Sequence, residues 1–337
     1  MRAAIMDAPH KMRVGEWATP QIGNSEVLVA VGATGICAGD LYLYKGINPY
    51  AVYPVIGGHQ IAGIVAAVGD GVASVAPGDR VVVEPFIGCG HCYPCRIGKQ
   101  NCCANLQIIG VHRPGGFAEY VVAPAQNIHH IPEKLSLAFA SFAEPVAIGV
   151  QACRRGEIGA EYVLILGCGP IGLALIEVAR ARGAHVVAAD VLDDRLAMAR
   201  TLGAETLSPN ERLLSAVLEQ TNGEGAPAVI EATGNLKAME STVDLVASGG
   251  RIVIVGLGQR GQTVQMPALD FTRKEMSIYG SRASVNCFPE ALDLLANGAI
   301  TYPKVATEFG MWDAPAVFAR LNKDPGAVHK GILVRES

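Results

Sequence analysis

Four cysteines crowd into the run Cys89-Gly-His-Cys92-Tyr-Pro-Cys95, with Cys103 eight positions further on. Short Cys-x-x-Cys spacers let neighbouring sulfurs turn onto one ion, so a loop that carries four of them is constrained to close around a metal. The pattern reads as a closed, tetrahedral, structural zinc site. Cys102 is a spare beside Cys103, and the seven-residue gap after Cys95 selects Cys103 as the fourth ligand. The other use of such cysteines is the disulfide framework of a secreted chain. Nine cysteines, an odd number, argue for metal and free thiols instead.

A chain of 337 residues exceeds one ordinary hydrophobic core, so two domains are expected. Half the residues are hydrophobic and only 17% are charged, which excludes disorder and implies much buried aliphatic surface. The formal net charge of −4 gives no basic footprint, so nucleic acid is not an expected partner. Asp7 falls too early for a signal sequence, and no apolar run approaches the roughly 18 residues of a membrane span. A cytoplasmic protein without membrane association is expected.

From Arg2 to about Val122, short β-rich runs (Val27–Val31, Ile61–Val68, Arg80–Val83, Ala118–Val122) are cut by Gly and Pro, which suits an irregular β-barrel. The texture changes near residue 150. Apolar strands at Tyr162–Leu166, His185–Ala189, Ala228–Glu231 and Arg251–Val255 then alternate with helical stretches at Pro170–Arg182, Arg195–Leu202 and Leu236–Ala247. Such alternation predicts an α/β fold with a doubly wound parallel sheet. After about Phe288 the chain turns helical and closes on the strand-like Gly331–Val334, a tail expected to return to the first domain. The boundaries read from this are 1–150 and 288–337 for the β-rich domain and 151–287 for the inserted α/β domain.

Val163-Leu-Ile-Leu-Gly167-Cys-Gly169-Pro170-Ile171-Gly172 reads as a buried strand, a glycine turn and the opening of a helix. Gly167 permits the tight turn, Gly169 lets a pyrophosphate approach the backbone, and Gly172 lets helix and strand pack closely. Asp190 ends the next strand, where a carboxylate accepts from ribose hydroxyls and repels a 2′-phosphate. Val191, Leu192 and Asp193 follow it with no cation, so NAD is expected over NADP. Ala232-Thr-Gly-Asn235 and Val255-Gly256 end later strands and belong beside the nicotinamide half. A glycine turn serving only to pack an unrelated sheet is the competing reading.

A second, scattered constellation consists of Cys37 with Asp40, His59 in Gly-Gly-His-Gln, and Glu144 in Phe-Ala-Glu-Pro. One thiolate, one imidazole and one carboxylate make three protein ligands and leave a position on a metal open to water or an alcohol. Taken singly, Cys37 could be a small buried residue, His59 a loop histidine and Glu144 a helix cap. Their occurrence together with the cysteine loop and the glycine turn favours the metal.

Over essentially its whole length the chain resembles the zinc-dependent medium-chain dehydrogenases. It is most similar to their polyol and sugar-acid branch, which includes sorbitol, L-threonine and L-galactonate or L-idonate 5-dehydrogenases. The matching motifs are Gly35-Ile-Cys37 with Asp40, Gly58-His59, the loop Cys89 to Cys103, Gly115-Gly-Phe-Ala-Glu119-Tyr, Glu144-Pro145 and Gly167 to Gly172. The resemblance implies a GroES-like β-barrel catalytic domain with a Rossmann nucleotide domain, NAD, and two zinc ions per chain. Carried over by it, Cys37, His59 and Glu144 hold a catalytic zinc, Cys89, Cys92, Cys95 and Cys103 hold a structural one, and Asp40 orients His59. Gly167, Gly169, Pro170, Ile171, Gly172, Asp190, Arg195 and Val255 contact the cofactor. A homodimer or homotetramer is implied, paired through the region of Thr263–Met266 and Met276–Tyr279.

Two positions depart from the branch. Gln60 stands where Glu is usual, and Cys37-Ala-Gly39-Asp40 replaces Cys-Gly-Ser-Asp, so the hydroxyl that begins the proton relay is missing and either Tyr42, Tyr44 or water substitutes or the ribose hydroxyls carry the proton outward. The expected reaction is hydride transfer from a secondary hydroxyl carbon of a small-molecule substrate, a sugar acid or polyol, to NAD⁺ across a cleft between domains, with zinc as Lewis acid; a dehydrogenase of simpler alcohols and a non-catalytic NAD-binding relative are the alternatives. Arg282 and His112 are the substrate-contact candidates. Arg282 suits a carboxylate as a bidentate pair; a surface ion pair is its other use, and a loop hydrogen bond that of His112.

Overall fold

A computed structural model describes residues 1–210, 212–324, 326 and 328–335. The chain divides into two compact units. One comprises Met1–Glu144, Phe288–Ala296 and Pro303–Ser337; the other comprises Pro145–Cys287 and Asn297–Tyr302.

The first unit is organised by strand Glu26–Gly35, whose residues alternate between half-buried and buried until they become continuously buried at Ala33–Gly35. Along one edge it pairs antiparallel with Gln60–Val68, and along the other with Tyr120–Pro124 and Gly331–Val334. Register shifts at Leu28/Val29 and Val31/Ala33 mark bulges, which bend and twist the strand so that the sheet curls. Val27, Val29, Val31, Val65, Val81, Phe117 and Phe318 fill the core that it encloses. The register sets Gly35 opposite both Gln60 and Ile332. It therefore brings Ile36-Cys37, His59-Gln60 and Lys330-Gly331 to one end of the sheet.

The second unit carries a six-stranded sheet in the order Glu205–Leu207, His185–Ala189, Tyr162–Leu166, Ala226–Glu231, Val246–Ile254, Ser277–Gly280. Every pairing is parallel. Runs such as Val163-Leu-Ile are fully buried, as strands covered on both faces require. The helix expected to reach Ala247 ends at Leu245, because β-branched Val246 pairs with Ala226 and opens the next strand. The helix expected from Arg195 starts two residues earlier at Asp193, whose carboxylate and that of Asp194 suit the positive end of the helix.

The parallel register aligns Ala189, Leu166, Glu231, Ile254 and Gly280 across the sheet. Asp190, Gly167, Ala232, Val255 and Ser281 consequently follow at a single carboxyl edge, where open α/β sheets receive ligands.

Candidate metal centres and dinucleotide site

The sulfurs of Cys89, Cys92, Cys95 and Cys103 lie within 4.8 Å of one another. Cys92 Sγ is 3.5 Å from Cys95 Sγ and 3.7 Å from Cys103 Sγ. Cys103 Sγ also accepts from the backbone N–H of Cys89 at 3.2 Å and of Asn105 at 3.3 Å. Cys102 is exposed, one residue away. Backbone N–H groups of Ala104 and Cys95 pull the Cys92 thiol down to about 6. Burial, then the neighbouring Cys92 sulfur, pushes Cys95 up to about 12. Such a cluster cannot gather four negative charges unaided; a divalent cation that takes thiolates fits it.

The scattered constellation is built on the sheet end. Helix Ala38–Lys45 starts after Cys37, and Asp40 in its first turn reaches back so that Oδ2 accepts from Cys37 N at 2.9 Å. Asp40 Oδ1 accepts from Gly58 N at 3.0 Å and lies 3.5 Å from His59 Nδ1, a charge contact too long for a strong hydrogen bond. One fully buried carboxylate thus clamps the loops that carry Cys37 and His59. Burial works against the Asp40 charge, but His59 and the two backbone donors keep its carboxyl below the usual range. Burial likewise opposes a charged His59, yet Asp40 and Cys37 hold its imidazole well above the ordinary value.

Glu144 is buried in the first turn of helix Ala143–Arg155, and burial raises its carboxyl. Its Oε2 accepts from Gln60 Nε2 at 2.9 Å. Gln60 Oε1 in turn accepts from Lys330, whose Nζ also donates to Ile36 O at 2.8 Å. Among the described residues, Cys37, His59 and Glu144 do not close to within the 4.8 Å that the four cysteines reach. Burial draws the Lys330 ammonium down, against the pull of Cys37, Glu144 and Asp40.

Cys37, His59 and Glu144 offer a thiol, an imidazole and a carboxyl, a donor set that fits zinc, and Asp40 and Lys330 are the charged groups packed beside them. Lys330 was not singled out from sequence. The available signal was a charged side chain abutting the apolar run Gly331–Val334.

At the glycine turn Gly167 has φ of 100°, and a Cβ at Gly172 would strike the Gly167 carbonyl. A Cβ at Gly169 would meet nothing within 4 Å, so the backbone there is open to a ligand. Helix Pro170–Ala181 begins with no side-chain cap, leaving its N–H groups to an anion such as pyrophosphate. Asp190 Oδ2 accepts from Cys168 N at 2.7 Å and Oδ1 from Leu192 N at 3.0 Å. Arg195, five residues along, returns through the helix to 3.6 Å from Asp190, so a cation does stand beside this carboxylate. Val255 follows the carboxyl edge as described.

Arg282 is exposed in the loop after Ser277–Gly280, beyond the same edge. His112 Nδ1 accepts from Ile108 N at 3.1 Å, which leaves Nε2 to carry the ring proton, and its ring tilts against Tyr50. Partial burial lowers the His112 imidazole. Tyr44, one relay candidate, is buried against Phe318 with its hydroxyl 3.4 Å from His10 O, and so belongs to the core. Tyr42 is half exposed.

Residues 23–133 match the alcohol dehydrogenase GroES-like domain, and residues 170–297 match the zinc-binding dehydrogenase domain. The chain is 36% identical over 312 residues to L-galactonate-5-dehydrogenase of Escherichia coli K12, covering 91% of each. The crystal structure of the RspB alcohol dehydrogenase from E. coli CFT073, complexed with NADH, superimposes with a TM-score of 0.92 at 33% identity over 99% of both chains. A zinc-binding dehydrogenase from Sinorhizobium meliloti 1021 bound to NADP gives a TM-score of 0.92 at 32% identity, covering 99% of this chain and 98% of its own. A curled β domain with a four-cysteine cluster, a doubly wound sheet with an open glycine turn, and relatives matched over 91% of the chain lead to one assignment: the chain belongs to the zinc-type alcohol dehydrogenase family, with a GroES-like domain and a Rossmann dinucleotide-binding domain.

Proposed function

We propose that this dehydrogenase oxidises a secondary hydroxyl of a sugar acid, a hexonate such as L-galactonate, L-idonate or L-gulonate, with NAD⁺ as hydride acceptor. The observation that carries the reading is the buried Asp40 carboxylate, which accepts from Cys37 N and Gly58 N and lies 3.5 Å from His59 Nδ1, so that a thiol and an imidazole suited to zinc share one end of the sheet with the Gln60 to which Glu144 is bonded. Cys37, His59 and Glu144 would hold the catalytic zinc, and Cys89, Cys92, Cys95 and Cys103 the structural one. When bound, zinc supplies Lewis-acid polarisation of a hydroxyl oxygen and NAD⁺ supplies the hydride acceptor. Asp40 fixes the two ligand loops and, beside Nδ1, leaves His59 Nε2 to face a metal. Gly167, Gly169, Pro170, Ile171 and Gly172 would cradle the pyrophosphate, Asp190 and Arg195 the adenosine ribose, and Val255 the nicotinamide side.

The carboxylate preference rests on Arg282, a fork of donors beyond the carboxyl edge of the sheet, and on similarity to an L-galactonate dehydrogenase. His112 offers Nε2 as a second polar contact. The protein would act as a homodimer or homotetramer, since Ser277–Gly280 is the sheet's edge strand and Leu269 and Phe271 are exposed nearby in sequence. Among the described residues, no helix is long and apolar enough to cross a membrane.

A panel of hexonates and neutral polyols assayed with NAD⁺ on zinc-replete protein tests the reading. Turnover of an aldonate with little on sorbitol-like polyols is expected, and Arg282→Ala should raise KM for the aldonate at least tenfold. Preference for polyols or simple alcohols, or full aldonate activity in the variant, would overturn the sugar-acid assignment.

A further inference from the structure

We propose that Lys330 and Gln60 form a positioning relay that aims Glu144 at the catalytic metal, an inference that rests on reading Cys37, His59 and Glu144 as its ligands. An ammonium has donors only. Contact with Lys330 therefore fixes which end of the Gln60 amide is the oxygen, and Nε2 is left to face Glu144 Oε2. One carboxylate oxygen is thereby tied to a neutral donor, and the direction of the other follows. Lys330, Gln60 and Glu144 are all buried, so no water competes freely for these contacts.

The same ammonium is tied to all three ligand-bearing segments. It holds Ile36 O, next to Cys37; it holds Gln60, next to His59; and through Gln60 it reaches Glu144. Gly35 makes room for the arrangement, since a Cβ there would collide with Gln60 Oε1. In this chain the link from the ammonium to Glu144 runs through both ends of the amide, the oxygen accepting from Lys330 and Nε2 donating to Glu144.

The test is metal titration and visible spectroscopy of full-length protein loaded with Co²⁺, on wild type, Gln60→Met and Lys330→Met. Wild type is expected to bind two ions per chain. Both variants should bind the catalytic ion about 10–100-fold more weakly, with a shifted absorption band, while the four-cysteine ion stays. kcat should fall with KM for NAD⁺ unchanged. Two ions bound with wild-type affinity and an unshifted spectrum in both variants would overturn the relay alone. Wild type that binds only one ion would overturn the catalytic-metal reading and the relay with it. Should Lys330→Met fail to fold, Gln60→Met decides, because the ammonium keeps its bond to Ile36 O.

Discussion

The Asp190 carboxylate accepts a 2.7 Å hydrogen bond from the backbone N–H of Cys168, so the side chain expected at the cofactor ribose also pins the glycine turn expected at the pyrophosphate. Its second oxygen is occupied by Leu192 N. Asn offers a single acceptor oxygen, so Asp190→Asn must leave one of these buried donors without its partner, at a cost of about 1–3 kcal/mol. The variant should lose thermal stability and show KM for NAD⁺ raised at least tenfold. Unchanged stability with a raised KM would confine Asp190 to ribose binding. Because Arg195 stands 3.6 Å away, the variant should also lose preference for NAD⁺ over NADP⁺, measured as the ratio of kcat/KM values.

Gly39 occupies the place where the sugar-acid branch carries a serine, and the structure leaves room for one. A Cβ there would stand 3.6 Å from His59 Cε1, an ordinary contact. Gly39 lies in helix Ala38–Lys45, so replacing it with a better helix former gains about 0.5 kcal/mol. Gly39→Ser is expected to raise the melting temperature slightly and to increase kcat severalfold near neutral pH by restoring a hydroxyl for proton transfer. A fall in both would show that this site needs the glycine.

What could be read from the sequence depended on how local the signal was. The cysteine loop and the glycine turn each lie within a few residues of chain, and their spacing alone conveys their chemistry. The Lys330–Gln60–Glu144 chain joins residues 270 and 84 positions apart, and exists only because strands Gly331–Val334 and Gln60–Val68 both pair with Glu26–Gly35. Gln60 stood out in the sequence as a lost carboxylate; in the fold it is a donor. Tyr44 was a plausible relay hydroxyl by position, but burial against Phe318 removes it. The missing information was strand register, which motif spacing does not contain.

Alkaline pH should weaken the dinucleotide-binding unit through two groups. Burial, then the Asp190 charge, pushes the Cys168 thiol from 9.0 up to about 12. Burial, then Glu205, pushes the Tyr162 hydroxyl from 10.0 up to about 12. In the unfolded chain both ionise at their ordinary values, so their stabilising contribution is complete below about pH 9 and is lost as pH rises toward 12. The melting temperature should fall over that window, and less steeply in Cys168→Ala and Tyr162→Phe. Identical slopes in wild type and both variants would count against the assignment.

Removal of one sulfur distinguishes the fourth ligand of the cysteine loop from its neighbour. Cys103 is buried and accepts two backbone N–H groups, whereas Cys102 is exposed. Cys103→Ser should therefore cost one zinc per chain by elemental analysis and lower the melting temperature, because metal binding in such a loop is coupled to its folding. Cys102→Ser should leave metal content and melting unchanged. The reverse pattern would make Cys102 the ligand. Thiols must lose protons to bind zinc, and Cys95 is pushed up to about 12, so metal uptake should release protons and strengthen as pH rises. A titration in two buffers of different ionisation enthalpy would read that release directly.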